Sequence, residues 1–141
     1  MTGLTATASE LASAFATALA AGDADAAVAR CADDVAMVMM YPPPGADGVI
    51  RGRDAVREMF ARPQRAMAGF AGTTPVVHDV VGGRLAIAEL AVSGTVRATG
   101  RPYKNRLCFF VSVKDGKITE FREYFDSAAA REALGRPPAP D

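Results

Sequence analysis

Apolar residues recur at helical spacing near the start of the chain. Leu11, Phe15 and Leu19 lie four residues apart, which places them on one face of an α-helix. The preceding Thr7-Ala-Ser-Glu10 has the spacing of a capping box, in which the threonine hydroxyl and the glutamate carboxylate bind free amides of the first turn. The pattern therefore predicts a first helix that ends at Gly22.

The pattern then changes period. Asp23 is expected to cap a short second helix that reaches about Cys31. Asp33-Asp34 interrupts the pattern, and the apolar run 35–41 predicts a strand. Residues 42–48 contain three prolines and two glycines, so we expect a loop there.

Helical spacing returns after this loop. The segment 53–62 predicts a third helix. Pro63 suits the first turn of a helix, so we expect it to start another helical piece that carries Met67 and Phe70.

Strand spacing dominates the second half of the chain. The β-branched residues of 74–81 predict one strand, and Gly82-Gly83 suits a two-residue hairpin turn. The apolar segments 85–97, 103–113 and 117–125 predict three further strands.

The C-terminal region is predicted to return to helix. Ser127 is expected to cap a last helix that ends near Gly135, and the proline-rich residues 136–141 predict a flexible tail. Helices followed by an antiparallel meander are typical of an α+β domain. We therefore expect a single domain over residues 1–135, and a chain of 141 residues is long enough to bury one core without metal or disulfides.

Composition narrows the possible partners. Sixteen basic and sixteen acidic residues give no net charge, so no overall field attracts nucleic acid or an anionic membrane. The N-terminal apolar stretch lacks a basic segment and contains Glu10, which argues against an export signal. We expect a cytoplasmic protein without a membrane span.

The sequence offers little for metal or cofactor chemistry. His78 is the single histidine, and Cys31 and Cys108 lie in apolar contexts where free thiols are more common than a bridge. Neither a phosphate-binding glycine loop nor a G-x-S-x-G elbow is present. We therefore expect no metal and no cofactor. Any catalytic group must then be a carboxylate, a tyrosine, an asparagine, an arginine or His78.

Four segments together carry a family resemblance, namely residues 15–23, 32–35, 52–56 and 115–126. They resemble the SnoaL-like (polyketide cyclase-like) branch of the nuclear transport factor two-like, or ketosteroid isomerase-like, superfamily. The resemblance implies a cone in which a curved antiparallel sheet wraps a long N-terminal helix and encloses an apolar pocket. It also implies a homodimer formed through the outer face of the sheet. Because this fold hosts many activities, it leaves function open.

The catalytic positions of related families narrow the mechanisms that this chain allows. The three positions used by ketosteroid isomerases match Phe15, Met39 or Met40, and Phe109, so that mechanism is not expected. Polyketide cyclases place a catalytic aspartate where this chain has Glu123, although their catalytic histidine matches Phe109.

Two further groups of enzymes in this superfamily have catalytic residues that can be compared with this chain. Phenazine-forming members have a glutamate in a context similar to Arg122-Glu-Tyr124. Limonene epoxide hydrolases use an Asp-x-Arg element that this sequence lacks, so an epoxide hydrolase is only a distant alternative. The resemblance thus leaves Glu123 as the one matching position that keeps its chemistry.

Strand register points independently to Glu123. A three-residue turn at 114–116 places Leu107 opposite Glu123 and puts both on one face with Asn105 and Tyr103. That face is largely aromatic, and burial there disfavours the charged carboxylate and raises its pKa. A two-residue turn would place Glu123 on the opposite face, where it would pair with an arginine at the surface.

Four other residues are candidates for catalytic groups. Asn105 and Tyr103 are expected to polarise a substrate carbonyl. Alternatively, Asn105 satisfies backbone groups and Tyr103 packs its ring against its neighbours. Glu89 lies in an apolar strand, where a carboxylate must be functional or paired. His78 is a general base by type but is also a common structural residue beside Asp79.

The expected substrate-binding residues are apolar or aromatic side chains of the predicted pocket, where flexible thioethers suit an irregular ligand. They are Phe15, Leu19, Met37, Met39, Tyr41, Met59, Phe60, Met67, Phe70, Leu107, Phe109, Phe121 and Phe125.

These residues favour a cofactor-free acid–base enzyme of cyclase, isomerase or dehydratase (lyase) type, acting on a small hydrophobic carbonyl compound of secondary metabolism. Glu123 would move the proton while the apolar wall excludes water. The alternative is a binding module of the same fold without turnover. A buried Glu123 with a raised pKa favours the enzyme, and an exposed, ion-paired one favours the binder.

We predict that the protein is a homodimer in solution. Light scattering at micromolar concentration should then give a mass twice that of the 14.7 kDa chain. A species of 14.7 kDa under these conditions would contradict the prediction.

Overall fold

The computed structural model describes residues 5–134. They form four helices and a seven-stranded sheet. In chain order the elements are α1 (Ala8–Ala20), α2 (Ala24–Val28), β1 (Cys31–Met39), β2 (Val49–Arg51), α3 (Arg53–Ala66), β3 (Met67–Gly72), β4 (Val76–Asp79), β5 (Leu85–Val96), β6 (Pro102–Lys114), β7 (Lys117–Phe125) and α4 (Ser127–Leu134). The predicted tail at 136–141 lies outside the described residues, and none of the described helices is long and apolar enough to cross a membrane.

The predicted α+β fold class is confirmed, with α1 packed inside a curved sheet. The strands lie in the order β2-β1-β7-β6-β5-β3, and β4 pairs with a second part of β5. The pairing of β1 with β7 is parallel, whereas we expected an antiparallel sheet throughout. The other strand pairs are antiparallel. The first strand therefore lies beside the last strand.

The start of α1 forms as its sequence predicts. Thr7 Oγ1 accepts a hydrogen bond from the Glu10 amide at 3.2 Å, and Glu10 Oε1 accepts one from the Thr7 amide at 3.3 Å. The apolar stripe Leu11, Phe15 and Leu19 is buried against the sheet. Phe15 packs against Phe60, Phe109 and Phe121, with ring centroids 5.2, 4.9 and 4.3 Å away. This aromatic cluster is the centre of the core.

The turn of the β6–β7 hairpin differs from the predicted one, but the side chains of β7 lie on the predicted face of the sheet. Lys114 pairs with Lys117, so Asp115 and Gly116, with φ of 53° and 74°, form a two-residue turn. A register shift follows at Thr119, which has no partner on β6 and forms a bulge. The extra residue shifts the inward and outward alternation of side chains by one position in the strand beyond it, which offsets the effect of the shorter turn.

The register beyond the bulge therefore differs from the prediction by two residues. Glu123 lies opposite Phe109 instead of Leu107, and Leu107 lies opposite Phe125. A shift of two leaves each side chain on its expected face. Phe109 and Phe121 are fully buried, as expected for the inner face.

The prediction was wrong for residues 67–72. Pro63 lies inside α3, which continues to Ala66 instead of starting anew. Met67 and Phe70 belong to strand β3, which pairs with β5, so tertiary pairing overrides the local helical pattern. A Cβ on Gly72 would lie 2.7 Å from Cα of Ala20, so this glycine allows β3 to approach α1 closely.

Other boundaries also moved. β1 starts at Cys31 and includes the exposed Asp33-Asp34 pair, which lies where the register of β1 shifts. The second helix ends at Val28, and Asp23 caps it as predicted. The β4–β5 hairpin forms, but its loop is longer than the predicted two glycines because Asp79 pairs with Ala86.

The cap of α4 was assigned to the wrong residue. Asp126 Oδ1 accepts hydrogen bonds from the amides of Ala128 and Ala129 at 3.0 and 3.1 Å, and Ser127 is already the first helical residue. Both cysteines are free thiols, as predicted.

We predict that Phe15→Ala lowers the free energy of unfolding by about 3–5 kcal/mol, because it removes the ring at the centre of the aromatic cluster. Urea denaturation measures this change. Val81→Ala is the control, since Val81 is fully exposed, and should shift stability by less than about 0.5 kcal/mol. A loss below about 1 kcal/mol for Phe15→Ala would show that other contacts hold α1 in place.

Candidate functional site

A cavity of about 670 Å³ lies between the inner face of the sheet and helices α1, α3 and α4. This volume is typical of small-molecule sites. Its wall is mainly apolar and consists of Leu19, Met37, Met39, Pro42, Pro43, Pro44, Met59, Phe60, Pro63, Phe70, Val92, Leu107, Phe125, Ala130 and Leu134. Its polar side chains are those of Tyr41, Tyr103, Glu123, Ser127 and Arg131.

Glu123 is the carboxylate in this wall. It lies between Met39 of β1 and Phe109 of β6 in the sheet register. The residue as a whole is partly exposed, and it is part of the cavity wall. Burial raises the pKa of Glu123 from 4.5 to about 7, and no hydrogen bond or cation among residues 5–134 offsets that effect. At neutral pH such a group both accepts and donates a proton.

Tyr103 lies near Glu123 and is held by Asn105. The Nδ2 group of Asn105 donates to the Tyr103 hydroxyl oxygen and to the carbonyl of Asp126, both at 2.9 Å, and its Oδ1 accepts from the Asp126 amide at 2.9 Å. The two backbone bonds to Asp126 fix the orientation of the Asn105 side chain. Since the Tyr103 oxygen accepts a bond, its own proton remains available for donation.

The electrostatic surroundings keep Tyr103 protonated. Burial raises the pKa of Tyr103, the hydrogen bond from Asn105 lowers it, and the negative charges of Glu123 and Asp126 raise it further. The tyrosine is therefore a neutral hydrogen-bond donor at neutral pH. Its position in the cavity wall allows donation to a bound molecule.

The structure brings three of the five expected catalytic residues together. Glu123 and Tyr103 line the cavity, and Asn105, which is only 4% exposed, lies behind Tyr103. Asn105 satisfies the backbone of Asp126 instead of lining the cavity, which was the alternative considered for it.

His78 and Glu89 lie elsewhere. The side chain of Glu89 is exposed between the inward-facing Ala88 and Leu90, so it lies on the outer face of β5. It pairs with His78 at 2.9 Å between Oε2 and Nε2, which explains how the sequence accommodates a carboxylate in an apolar strand. Glu89 also lines a separate outer groove of about 490 Å³ that includes Cys108.

Most of the expected substrate-binding residues line the cavity. Nine do so, namely Leu19, Met37, Met39, Tyr41, Met59, Phe60, Phe70, Leu107 and Phe125. Phe15, Phe109 and Phe121 form the buried core beside it, and Met67 packs with Val96 and Ala133 in a smaller cluster. Pocket and core share one surface in this fold, and sequence spacing alone does not separate them.

Several wall residues were missed from the sequence. Pro42, Pro43 and Pro44 follow β1 and form one side of the cavity, although their composition indicated only a loop. Ser127 and Arg131 come from α4, which begins directly after its capping residue Asp126. The spacing of Ser127, Ala130, Arg131 and Leu134 predicts that they share one face of a helix. The sequence of α4 does not indicate which surface this face covers.

No group of three or more His, Cys, Asp or Glu side chains in the described part of the chain is placed to hold a metal ion.

The sequence pattern of the SnoaL-like domain family matches residues 12–121. Among individual proteins, the chain is 27% identical over 95 residues to the uncharacterized protein YesE of Bacillus subtilis, covering 67% of this chain and 65% of that protein. The match thus spans slightly less than two thirds of that relative.

Solved structures share the fold over nearly the full chain. An NTF2-like protein of Burkholderia thailandensis superposes with a TM-score of 0.78 at 27% identity, covering 94% of this chain and 99% of the other. A candidate polyketide cyclase of Xanthomonas campestris superposes with a TM-score of 0.74 at 26% identity, covering 90% and 96%.

We predict that Glu123 makes the protein less stable as pH rises. Because its pKa in the folded protein, about 7, exceeds the ordinary 4.5, the native state binds more protons than the unfolded chain between these values. The free energy of unfolding therefore falls between pH 4.5 and 7, by at most about 3 kcal/mol, and this contribution is level above pH 7. Urea denaturation across this range should show Glu123→Gln gaining stability relative to wild type as pH rises.

The control is Glu120→Gln, which removes a carboxylate from the outer face of the same strand. It should leave the pH dependence of wild type unchanged. Parallel profiles for wild type and Glu123→Gln would contradict a raised pKa at Glu123.

Proposed function

The chain belongs to the SnoaL-like domain family, and from this premise we propose that it is a cofactor-free acid–base enzyme acting on a small hydrophobic carbonyl compound. The observation that carries the proposal is the Glu123 carboxyl group in an apolar cavity, where no side chain of residues 5–134 pairs with it and its pKa is raised to about 7. General bases work best when their pKa lies near the working pH.

In the proposed step Glu123 removes a proton from the carbon next to the substrate carbonyl. The electron pair of that C–H bond becomes the enolate, and its negative charge develops on the carbonyl oxygen. Tyr103 stabilises this oxygen by donating its free proton in a hydrogen bond. Glu123 then returns the proton to another carbon. Alternatively, it gives the proton to the oxygen of a second carbonyl that the enolate attacks, or to a hydroxyl group that the enolate expels as water.

These three outcomes correspond to isomerisation, cyclisation and dehydration. All need the same base and the same hydrogen-bond donor, so the cavity shape and the substrate decide between them. The apolar wall supports each of them, because excluding water strengthens the hydrogen bond to the oxygen and limits side reactions.

Asn105 is a positioning residue in this proposal. It does not line the cavity, but it fixes the Tyr103 oxygen as an acceptor at 2.9 Å and so directs the tyrosine proton elsewhere. Its buried amide has its own bonds to the Asp126 backbone, which hold it in this orientation.

A binding module without turnover is the second candidate. It is favoured by Phe15 and Phe109, which occupy positions where the resemblance places catalytic groups, and both are buried in the core. In this case the cavity would hold an apolar ligand, and Glu123 would serve for recognition only.

We predict that Glu123→Gln abolishes turnover while leaving the cavity intact. The amide keeps the shape of the side chain and removes its ability to carry a proton, a loss of about 100-fold or more. Untargeted mass spectrometry of a host metabolite extract, incubated with wild-type protein, with the variant or without protein, identifies any converted compound.

Conversion by wild type alone supports the enzyme and reveals its substrate class. Glu120→Gln, which alters the outer face, should convert the compound as wild type does. Equal conversion by wild type and Glu123→Gln would exclude Glu123 as the base. A compound that both proteins retain unchanged through gel filtration would favour the binding module.

A further inference from the structure

Arg131 is the cationic side chain of the cavity wall within the described residues. It lies on the face of α4 that also presents Ser127, Ala130 and Leu134 to the cavity. Arg131 is largely exposed. A side chain that both lines a cavity and reaches solvent lies at its mouth.

Among residues 5–134 several arginines form no ion pair, and Arg131 is the one of them that lines the cavity. Arg53, Arg57 and Arg65 each form an ion pair with a carboxylate. The Arg131 guanidinium forms no ion pair or hydrogen bond with residues 5–134. With respect to the described residues, its five N–H donors can all bind a ligand.

Arg131 is not among the groups that shift the pKa of Glu123. A guanidinium within about 4–6 Å of a carboxylate lowers its pKa, yet the pKa of Glu123 is raised by burial with no opposing cation. The cavity wall thus carries the carboxyl group of Glu123 and, at its exposed edge, the guanidinium of Arg131, which has no ion pair within residues 5–134. A ligand that satisfies both must carry two different functional groups.

We propose that the molecule held in this cavity is an apolar carbonyl compound that also carries a carboxylate, and that Arg131 binds this carboxylate. The carbonyl part of the inference rests on the proposed function. The carboxylate part rests on the guanidinium, whose planar pair of N–H groups matches two carboxylate oxygens. The apolar wall between the two polar ends accommodates the hydrocarbon body of such a molecule.

The test compares an acid with its uncharged ester. Isothermal titration calorimetry with 4-benzoylbutyrate and with its methyl ester measures the effect of the charge at constant carbonyl and ring structure. We expect wild type to bind the acid about five- to tenfold more tightly than the ester, since the site is partly exposed. Arg131→Gln should bind both compounds equally.

The control variant is Arg30→Gln, which removes one positive charge from the exposed turn before β1. It should keep the preference for the acid, because Arg30 does not line the cavity. Equal binding of acid and ester by wild type, no binding of either, or a preference retained in Arg131→Gln would each overturn the proposal.

Glu123→Gln distinguishes this inference from the proposed function. It should keep the preference for the acid, because the amide leaves Arg131 untouched. If acid preference depends on Arg131 while metabolite turnover does not depend on Glu123, the carboxylate site stands and the catalytic proposal fails. If turnover depends on Glu123 but acid and ester bind alike, the catalytic proposal stands and the carboxylate site fails.

Discussion

Phe15 of α1 meets the rings of Phe60, Phe109 and Phe121 at centroid distances of 5.2, 4.9 and 4.3 Å. These rings come from α3, β6 and β7, so the contact forms only when the two helices pack on the sheet. It fills the space between them around the middle of α1. One turn further along, Leu19 lines the cavity, which therefore begins where the aromatic packing ends.

The same packing sets the surroundings of Glu123. By resemblance, Phe15 and Phe109 replace groups that are catalytic in related enzymes, and both are buried here. The rings leave Glu123 with no cation or hydrogen bond from the described residues. Its raised pKa is thus a consequence of apolar neighbours, and Tyr103, held by Asn105, supplies the nearby hydrogen-bond donor.

Much of this arrangement was predictable from local pattern. The capping box of α1 and the span of β7 follow from spacing. The inward face of Glu123 was predicted from a three-residue turn, whereas the structure reaches it through a two-residue turn and the bulge at Thr119. The strand over Met67 and Phe70 was not predictable, because it exists only through pairing with β5. The position of Arg131 also depends on tertiary structure, since the helical pattern of α4 does not indicate the surface against which it packs.

The unpaired Thr119 in β7 has a consequence for comparing relatives of this chain. Gain or loss of a single residue in the hairpin exchanges the sets of side chains on the two faces of the strand beyond it. Alignments that place the gap on the wrong side of Thr119 would equate Glu123 with a surface residue. Homologous chains can therefore differ in apparent catalytic residues through one insertion, without any substitution at the site itself.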